Sequence, residues 1–302
     1  MTRVIDLEIG APKSVATKPE GAIYTGRPGT PFAESLERPE GYGFANYGRI
    51  FGSKPTSDAS QDDGGLKALI ADMDAGGVEF GLLVNAPNEK IGPILREFPG
   101  RFRMFATLNP MDGMRAVREF ERLVREDGAN GLRVSALYNG IPANDRRYYP
   151  LYAKCVELGV PVRIYASMNY ANDRPYDLGH PRYLDDICID FPELKIIAGL
   201  AGWPWVADMV GLLRRHPNLY CDTAAHRPRY FGKPGSGWDM FCQFGDTLLR
   251  DKVMVGLSRY LFNNSFGELV SEYQQLPLKE KTLENWLYGN AKRFFAEECA
   301  VA

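Results

Sequence analysis

Short, nearly continuous apolar runs alternate with stretches of helical period along most of this chain. The first run, VIDLEIG from Val4, contains the strand formers Val4, Ile5, Leu7 and Ile9 and is broken by Gly10-Ala11-Pro12, which predicts a short buried strand ending in a loop. Leu66, Leu69, Ile70 and Met73 share one helical face, preceded by Asp62 and Asp63 that suit a helix start and stopped by Gly76-Gly77. VEFGLLV at 78–84, RFRMFATL from Arg101, GLRVS from Gly131, VPVRIYA from Val160, LKIIAGL from Leu194, NLYCD from Asn218 and KVMVGLS from Lys252 then read as further strands. Between them the spacing predicts helices near Gly113 to Glu126, Tyr149 to Leu158, His180 to Phe191, Trp203 to Arg215 and Gly237 to Phe244, with closing helices after the last strand. Eight such units with apolar strands predict an α/β chain folded as a (β/α)8 TIM barrel, one domain over residues 1–302. An open doubly wound sheet is the alternative, but no Gly-x-Gly-x-x-Gly follows any strand to bind a dinucleotide.

Residues 10–60 interrupt the rhythm with a Gly/Pro/Tyr-rich stretch of no sustained period. Its aromatics, among them Tyr24, Phe32, Tyr42, Phe44, Tyr47 and Phe51, favour a packed covering loop, since solvated linkers are poor in such residues. The expectation is a cover over the barrel mouth, with Tyr47 a candidate substrate contact; packing against a second subunit is the alternative.

Composition narrows the partners. Thirty-six Lys and Arg against 38 Asp and Glu give a net charge of −2, so no global field favours nucleic acid or a membrane surface, and a small-molecule substrate is expected. Cys155, Cys188, Cys221, Cys242 and Cys299 are scattered without a Cys-x-x-Cys, which argues for reduced thiols rather than a zinc knuckle or redox pair. No signal-type or membrane-spanning apolar segment is present in the given sequence, so a cytoplasmic protein, in the form of a homo-oligomer, is expected.

Four segments of the second half, GHPRYLDDICIDFPELKIIAGLAGWPW, HPNLYCDTAAHRPRY, DKVMVGLSRYLF and YGNAKRFF, together with the first strand, resemble the amidohydrolase-related family, including its aminocarboxymuconate semialdehyde decarboxylase-like enzymes. The resemblance implies a TIM barrel and hydrolysis or decarboxylation at the C-terminal ends of the strands, with a metal that activates water or polarises substrate. It also implies where the metal's ligands would stand, and every one of those positions is altered. Glu8 and Gly10 replace two first-strand histidines, Tyr165 the fifth-strand histidine, Leu200 the sixth-strand histidine and Ser258 the eighth-strand aspartate. Glycine and leucine offer no side-chain donor, so no ordinary metal site is expected, and no cofactor.

If Tyr165 faces inward, strand alternation turns Arg163 inward one layer deeper, where a buried guanidinium needs an anion. Glu8 is the expected partner, as an internal salt bridge or as part of a catalytic site. Asp222 and His226, in CDTAAHRPR, end the seventh strand, where barrel active sites gather. His226 is a candidate acid or base, with a structural loop histidine as the alternative. Arg133 ends the fourth strand and suits a substrate carboxylate, or else a rim salt bridge. Ser258 lacks a nucleophile elbow and is expected to hydrogen-bond substrate, and the indole of Trp203 is a candidate pocket wall. His180 is expected to start a helix, and His216 to be structural.

Two functions compete on these residues, and a third reading, a metal enzyme with relocated ligands, would need Glu8, Asp222 and His226 to converge. One is a metal-independent hydrolase or lyase, acting by lactone or C–C hydrolysis or by decarboxylation on a small carboxylated or aromatic compound. In it Arg163 or Arg133 would stabilise an oxyanion or carboxylate, Glu8 or Asp222 would steer water or a proton, and Tyr165 would donate a hydrogen bond. The other is a catalytically inactive barrel that binds a ligand or partner. An open cavity with converging polar groups separates the first from the second, whose pocket apolar side chains would fill.

Overall fold

The computed structural model describes residues 2–16, 64–172 and 174–296. The predicted helix-start residues Asp62 and Asp63, Tyr47, Cys299 and most of the 10–60 segment lie outside the described residues.

Nine parallel strand segments make the wall: β1 (Val4–Gly10), β2 (Val78–Val84), β3 (Phe102–Arg103), β4 (Phe105–Thr107), β5 (Gly131–Val134), β6 (Val162–Tyr165), β7 (Ile196–Gly199), β8 (Leu219–Asp222) and β9 (Val253–Met254). They pair in sequence order, β1 to β3 and β4 to β9. β3 and β4 are two halves of the predicted RFRMFATL strand, so the nine segments amount to eight staves. At the break, Met104 N–H donates to Asn130 Oδ1 at 3.0 Å and Asn130 N–H to Met104 O at 2.8 Å, a side-chain substitute for one rung of the ladder. The remaining seam is bridged by Leu7 N–H, which donates to Val255 O at 2.8 Å. The chain thus closes as a (β/α)8 barrel.

Helices run between the strands where the periodicity placed them, Met114–Asp127 and Tyr149–Leu158 for instance. Met114–Asp127 turns Ala116, Val117, Phe120 and Leu123 toward the wall and leaves its charged face to solvent. The helix predicted from Trp203 starts three residues later, at Val206, because the chain first makes a tight turn through Leu200–Gly202. Inside the barrel, Ile5, Leu7, Phe80, Leu82, Phe105, Ile197 and Met254 pack together, and Ala291, Phe294 and Phe295 of the last helix join them from the ends where the strands begin. The opposite ends of the strands carry the polar chemistry.

β1 departs from simple alternation. Asp6 pairs with Gly81 but Ile9 with Leu83, so three steps on β1 match two on β2 and a bulge lies between. That extra residue lets Leu7 join the apolar interior while its neighbour Glu8 faces the cavity above it. Asp6 pins the distortion: its Oδ1 accepts from Glu8 N–H at 2.9 Å and, across the closing seam, from Leu257 N–H at 2.7 Å. Burial is the main reason that the Asp6 carboxyl is pushed up from 3.8 to about 7.

Between 3.8 and about 7 the unfolded chain has given up this proton while the folded chain keeps it. Stability from this group is therefore highest at acid pH and declines as pH rises through that window, on the order of 4 kcal/mol in all. Urea unfolding of wild type and Asp6→Asn across the same pH range should show the variant gaining on wild type as pH rises. Parallel curves would mean that Asp6 titrates normally.

Candidate active site

Three strands that are distant in sequence bring one cation and two anions together. Arg163 ends in the barrel mouth from β6, Glu8 from the bulge of β1 and Asp222 from the end of β8, and all three are buried. Arg163 Nε donates to Asp222 Oδ2 at 2.6 Å and its Nη2 to Asp222 Oδ1 at 3.1 Å, a two-pronged pair. Glu8 Oε2 lies 2.7 Å from the same Nη2, an ionic contact without an aligned hydrogen bond. Burial works against the charge of Arg163, but Asp222 and then Glu8 more than offset it, and its pKa stays above the ordinary arginine range. The expected Glu8–Arg163 contact is present; Asp222 is the better aligned partner.

The turns around this cluster are shaped to it. Asp222 Oδ1 also accepts Leu200 N–H at 3.1 Å and Ala224 N–H at 3.0 Å, so Asp222 is saturated and holds Arg163 in place rather than facing a ligand. Leu200 adopts a left-handed φ of 70°, an uncommon conformation for a leucine that this hydrogen bond helps to hold. A Cβ on Gly199 would press to 3.3 Å on Arg163 Cζ. A Cβ on Gly10 would come within 2.6 Å of the Tyr260 ring. Tyr260 therefore fills the room that a side chain at position 10 would take, and its phenol donates to Glu8 Oε1 at 2.8 Å. Enclosure of the hydroxyl, and next the Glu8 charge, push that phenol up, so it stays a neutral donor, although the residue as a whole is 44% exposed.

Above the cluster is a cavity of about 260 Å³ whose wall includes Glu8, Arg133, Arg163, Tyr165, Tyr170, Leu200 and Tyr260. Tyr165 lines it and donates its hydroxyl to Met168 O at 2.7 Å. Arg133 lines it too, half-buried, with Nη1 3.4 Å from Asn85 Oδ1 and no carboxylate partner among the described residues. The other described sequence candidates are not among the residues that line the cavity, although Trp203 packs against the cluster of Tyr170, Leu200 and Ala224. Ser258, fully buried with a left-handed φ of 48°, accepts Ala225 N–H at 2.8 Å and so ties the end of the eighth stave to the seventh. Trp203 gives its carbonyl to Met168 N–H and Ser167 Oγ, and its ring lies 5.8 Å from that of His226.

His226 also meets Trp238, centroid to centroid 4.9 Å, and its Nε2 is sealed from solvent without a hydrogen bond among the described residues. Burial lowers its pKa to about 3, which removes its titration from the neutral range. His180 precedes the helix Arg182–Asp190 and its Nδ1 accepts Arg182 N–H at 3.1 Å. His216 sits at a helix C-terminus with Nε2 2.6 Å from Asp185 Oδ1, remote from the cavity.

Tyr260, Asn85, Tyr138 and Tyr170 are cavity residues that the sequence reading passed over. Two had a signal in the sequence. Asn85 follows the last residue of β2, the end where barrel chemistry sits, and Tyr260 comes two residues after the altered Ser258 position.

A metal of the kind the family resemblance implies would need several free donors at fixed geometry. Here Asp222 is saturated, Glu8 is engaged by Arg163 and Tyr260, and Gly10 and Leu200 supply no side-chain donor. Among the described residues no group of three or more His, Cys, Asp or Glu is disposed to hold a metal ion. These residues do not fit the inherited metal.

A closed parallel barrel with its polar groups at the C-terminal mouth defines the class, and comparison supplies the family. The amidohydrolase family profile matches residues 58–296, most of the chain, and the chain belongs to that family. Among solved structures it is similar to the uncharacterized TIM-barrel protein Bb4693 of Bordetella bronchiseptica, with 21% identity, a TM-score of 0.73 and 98% and 99% of the two chains covered. It is also similar to the 5-carboxyvanillate decarboxylase LigW of Sphingomonas paucimobilis (18% identity, TM-score 0.64, 98% and 99% covered). A 2,6-dihydroxybenzoate decarboxylase from Rhizobium gives 17% identity, a TM-score of 0.60 and 98% and 99% coverage. No curated protein matches the chain in sequence. Among the described residues no helix is long and apolar enough to cross a membrane.

Removing one partner of the buried cluster leaves the others uncompensated, at a cost of about 3–5 kcal/mol. Thermal or urea unfolding of Arg163→Met, which strands two carboxylates, should show the larger loss and Glu8→Gln the smaller. Unfolding midpoints equal to wild type for both would contradict the ion cluster. For His226, the unfolded chain takes up a proton below 6.5 that the folded chain refuses until about 3. Its contribution is intact above 6.5 and is lost as the solution is acidified through that window, so His226→Phe should flatten the acid limb of the stability profile.

Proposed function

We propose that this protein is a metal-independent enzyme of the amidohydrolase family, a hydrolase or lyase that acts on a small aromatic or otherwise unsaturated carboxylate, with no resident cofactor. The observation that carries the reading is the contrast between two arginines. Arg163 is neutralised by Asp222 and Glu8, whereas Arg133 enters the same cavity without a carboxylate partner among the described residues. A half-buried guanidinium in a partly apolar cavity is matched to an anion, and its planar fork to a carboxylate. The structural neighbours named for substrates, two decarboxylases of carboxylated or hydroxylated benzoates, point the same way.

Chemistry then divides between the two ends of the cavity. A carboxylate gripped by Arg133 is stabilised in its charged form, so it is a group the reaction keeps or produces; neutralising it would oppose its own departure as CO2. This favours hydrolysis of an ester or C–C bond, or loss of a second carboxylate held elsewhere. Arg163, its charge balanced by Asp222 and Glu8, acts as a guanidinium N–H donor to an oxyanion formed at the reacting carbon rather than as an unbalanced charge. Glu8, oriented by Tyr260 and Arg163, is the cavity carboxylate that takes a proton from water or substrate. Tyr165 and Tyr170 wall the slot, and Asp222 serves as the positioning residue for Arg163.

An inactive ligand-binding barrel is the competing reading, and Leu200, at an inherited ligand position, and Tyr260, in the space beside Gly10, favour it. The cavity that remains open, with two guanidiniums and several phenols converging on it, supports the enzyme.

The test is turnover. A panel of aromatic carboxylates and carboxylated lactones, assayed with protein dialysed exhaustively against a chelator, should reveal an activity that added metal does not raise. Arg133→Met should then lower kcat/KM by roughly 100-fold or more, mostly through KM, as expected for loss of one charge-assisted pair. Activity that vanishes on chelation and returns with zinc or manganese would overturn the metal-independent reading. Binding without turnover across the panel would favour the inactive barrel.

A further inference from the structure

A second chamber of about 400 Å³ adjoins the cavity, and the two share Asn85, Arg133 and Tyr138 as their partition. Its floor is apolar, with Leu82, Val84, Met104 and Phe105 exposed to it from the ends of β2 to β4. Asn85 stands in the partition with a left-handed φ of 66°, and its Oδ1 faces Arg133 Nη1 at 3.4 Å. Asparagine is among the few non-glycine residues that adopt this conformation readily, and here the turn presents its side chain to Arg133.

The size of the first cavity limits what it holds. An apolar void of about 150 Å³ takes one benzene ring, so about 260 Å³ takes one ring with polar substituents and little more. The larger neighbour has no need to exist for a one-ring substrate. Among the described residues it carries no ion pair of its own that would explain the space: Asn88, on its rim, spends its side chain on the Thr107 backbone, with Asn88 Nδ2 to Thr107 O at 2.8 Å and Thr107 N–H to Asn88 Oδ1 at 3.0 Å.

We propose that the substrate site is bipartite: Arg133, with Asn85, grips a carboxylate at the junction, the reacting part lies beside Arg163 and Glu8, and a second aromatic or apolar group occupies the adjoining chamber. The substrate class is thus a carboxylate carrying two rings, or a ring with a long apolar arm, rather than a simple benzoate. This rests on the reading of Arg133 as a carboxylate anchor.

Calorimetric titration of the full, chelator-treated chain tests it with benzoate and with biphenyl-2- and biphenyl-3-carboxylate. The better biphenyl acid should bind at least about tenfold tighter than benzoate, a modest return for burying a second ring. Thr107→Trp, an exposed rim position that fills the chamber from above, should abolish that advantage while leaving benzoate affinity within about twofold; Leu108→Trp repeats the block from the other side should the first variant fold poorly. Arg133→Met should weaken all three acids. If benzoate binds through Arg133 and the biphenyl acids gain nothing, or their gain survives both blocking variants, the bipartite site is wrong and the anchor stands. If no acid binds, or binding ignores Arg133→Met, the anchor is wrong and the bipartite site falls with it.

Discussion

A guanidinium closed inside a barrel cannot be left without anionic partners, and much of the mouth of this protein follows from supplying them to Arg163. Two carboxylates from opposite parts of the chain are drawn to it, Asp222 through a two-pronged hydrogen-bonded pair and Glu8 through an ionic contact of 2.7 Å. Asp222 in turn collects the backbone N–H groups of Leu200 and Ala224 and so shapes the turns that leave two strands. Glu8 reaches the cavity because β1 bulges, and the bulge is held by Asp6 across the closing seam. Gly199 and Gly10 leave the room that the guanidinium and the Tyr260 ring need. Such a cluster is expensive to desolvate and adds little net stability, so its retention fits a role in positioning charge at the mouth.

That arrangement is also what motivates the proposal that the chain works without the family's metal. A divalent cation and a guanidinium would compete for the same carboxylates, and a bound metal ligand must have a lone pair to offer. Here the carboxylate oxygens are directed at Arg163, backbone amides and a phenol. Under the proposed function, Arg163 would stand where the family has its metal, and Arg133 would supply a positive charge for the substrate.

The fold was legible because parallel barrel strands are buried on both sides and read as apolar runs, from VEFGLLV in β2 to LKIIAGL around β7, with helical periods between them. The inward direction of Arg163 was legible for a related reason: side chains alternate along a strand, and Tyr165 two residues on marked the inner face. Other parts of the site depend on three-dimensional detail that no local pattern records. The bulge in β1 is an irregularity of pairing with β2, invisible in VIDLEIG itself. Tyr260 reaches Glu8 because the chain folds back after β9 in the left-handed turn at Ser258, and the absent side chain of Gly10 makes space for it. His226 looked like a neutral-pH acid or base from its place at a strand end; of the indoles that enclose it, Trp203 comes from the loop after β7 and Trp238 from further along the same connection between β8 and β9.

On the proposed reading, the guanidinium of Arg163 holds carboxylates that a metal would otherwise use. Titration of zinc and of manganese into the chelator-treated wild-type chain, followed by calorimetry and by thermal shift, tests it most directly. No stoichiometric site and no rise in the unfolding temperature are expected at micromolar free metal. One ion bound per chain with micromolar or tighter affinity, accompanied by thermal stabilisation and abolished by Glu8→Gln, would contradict it.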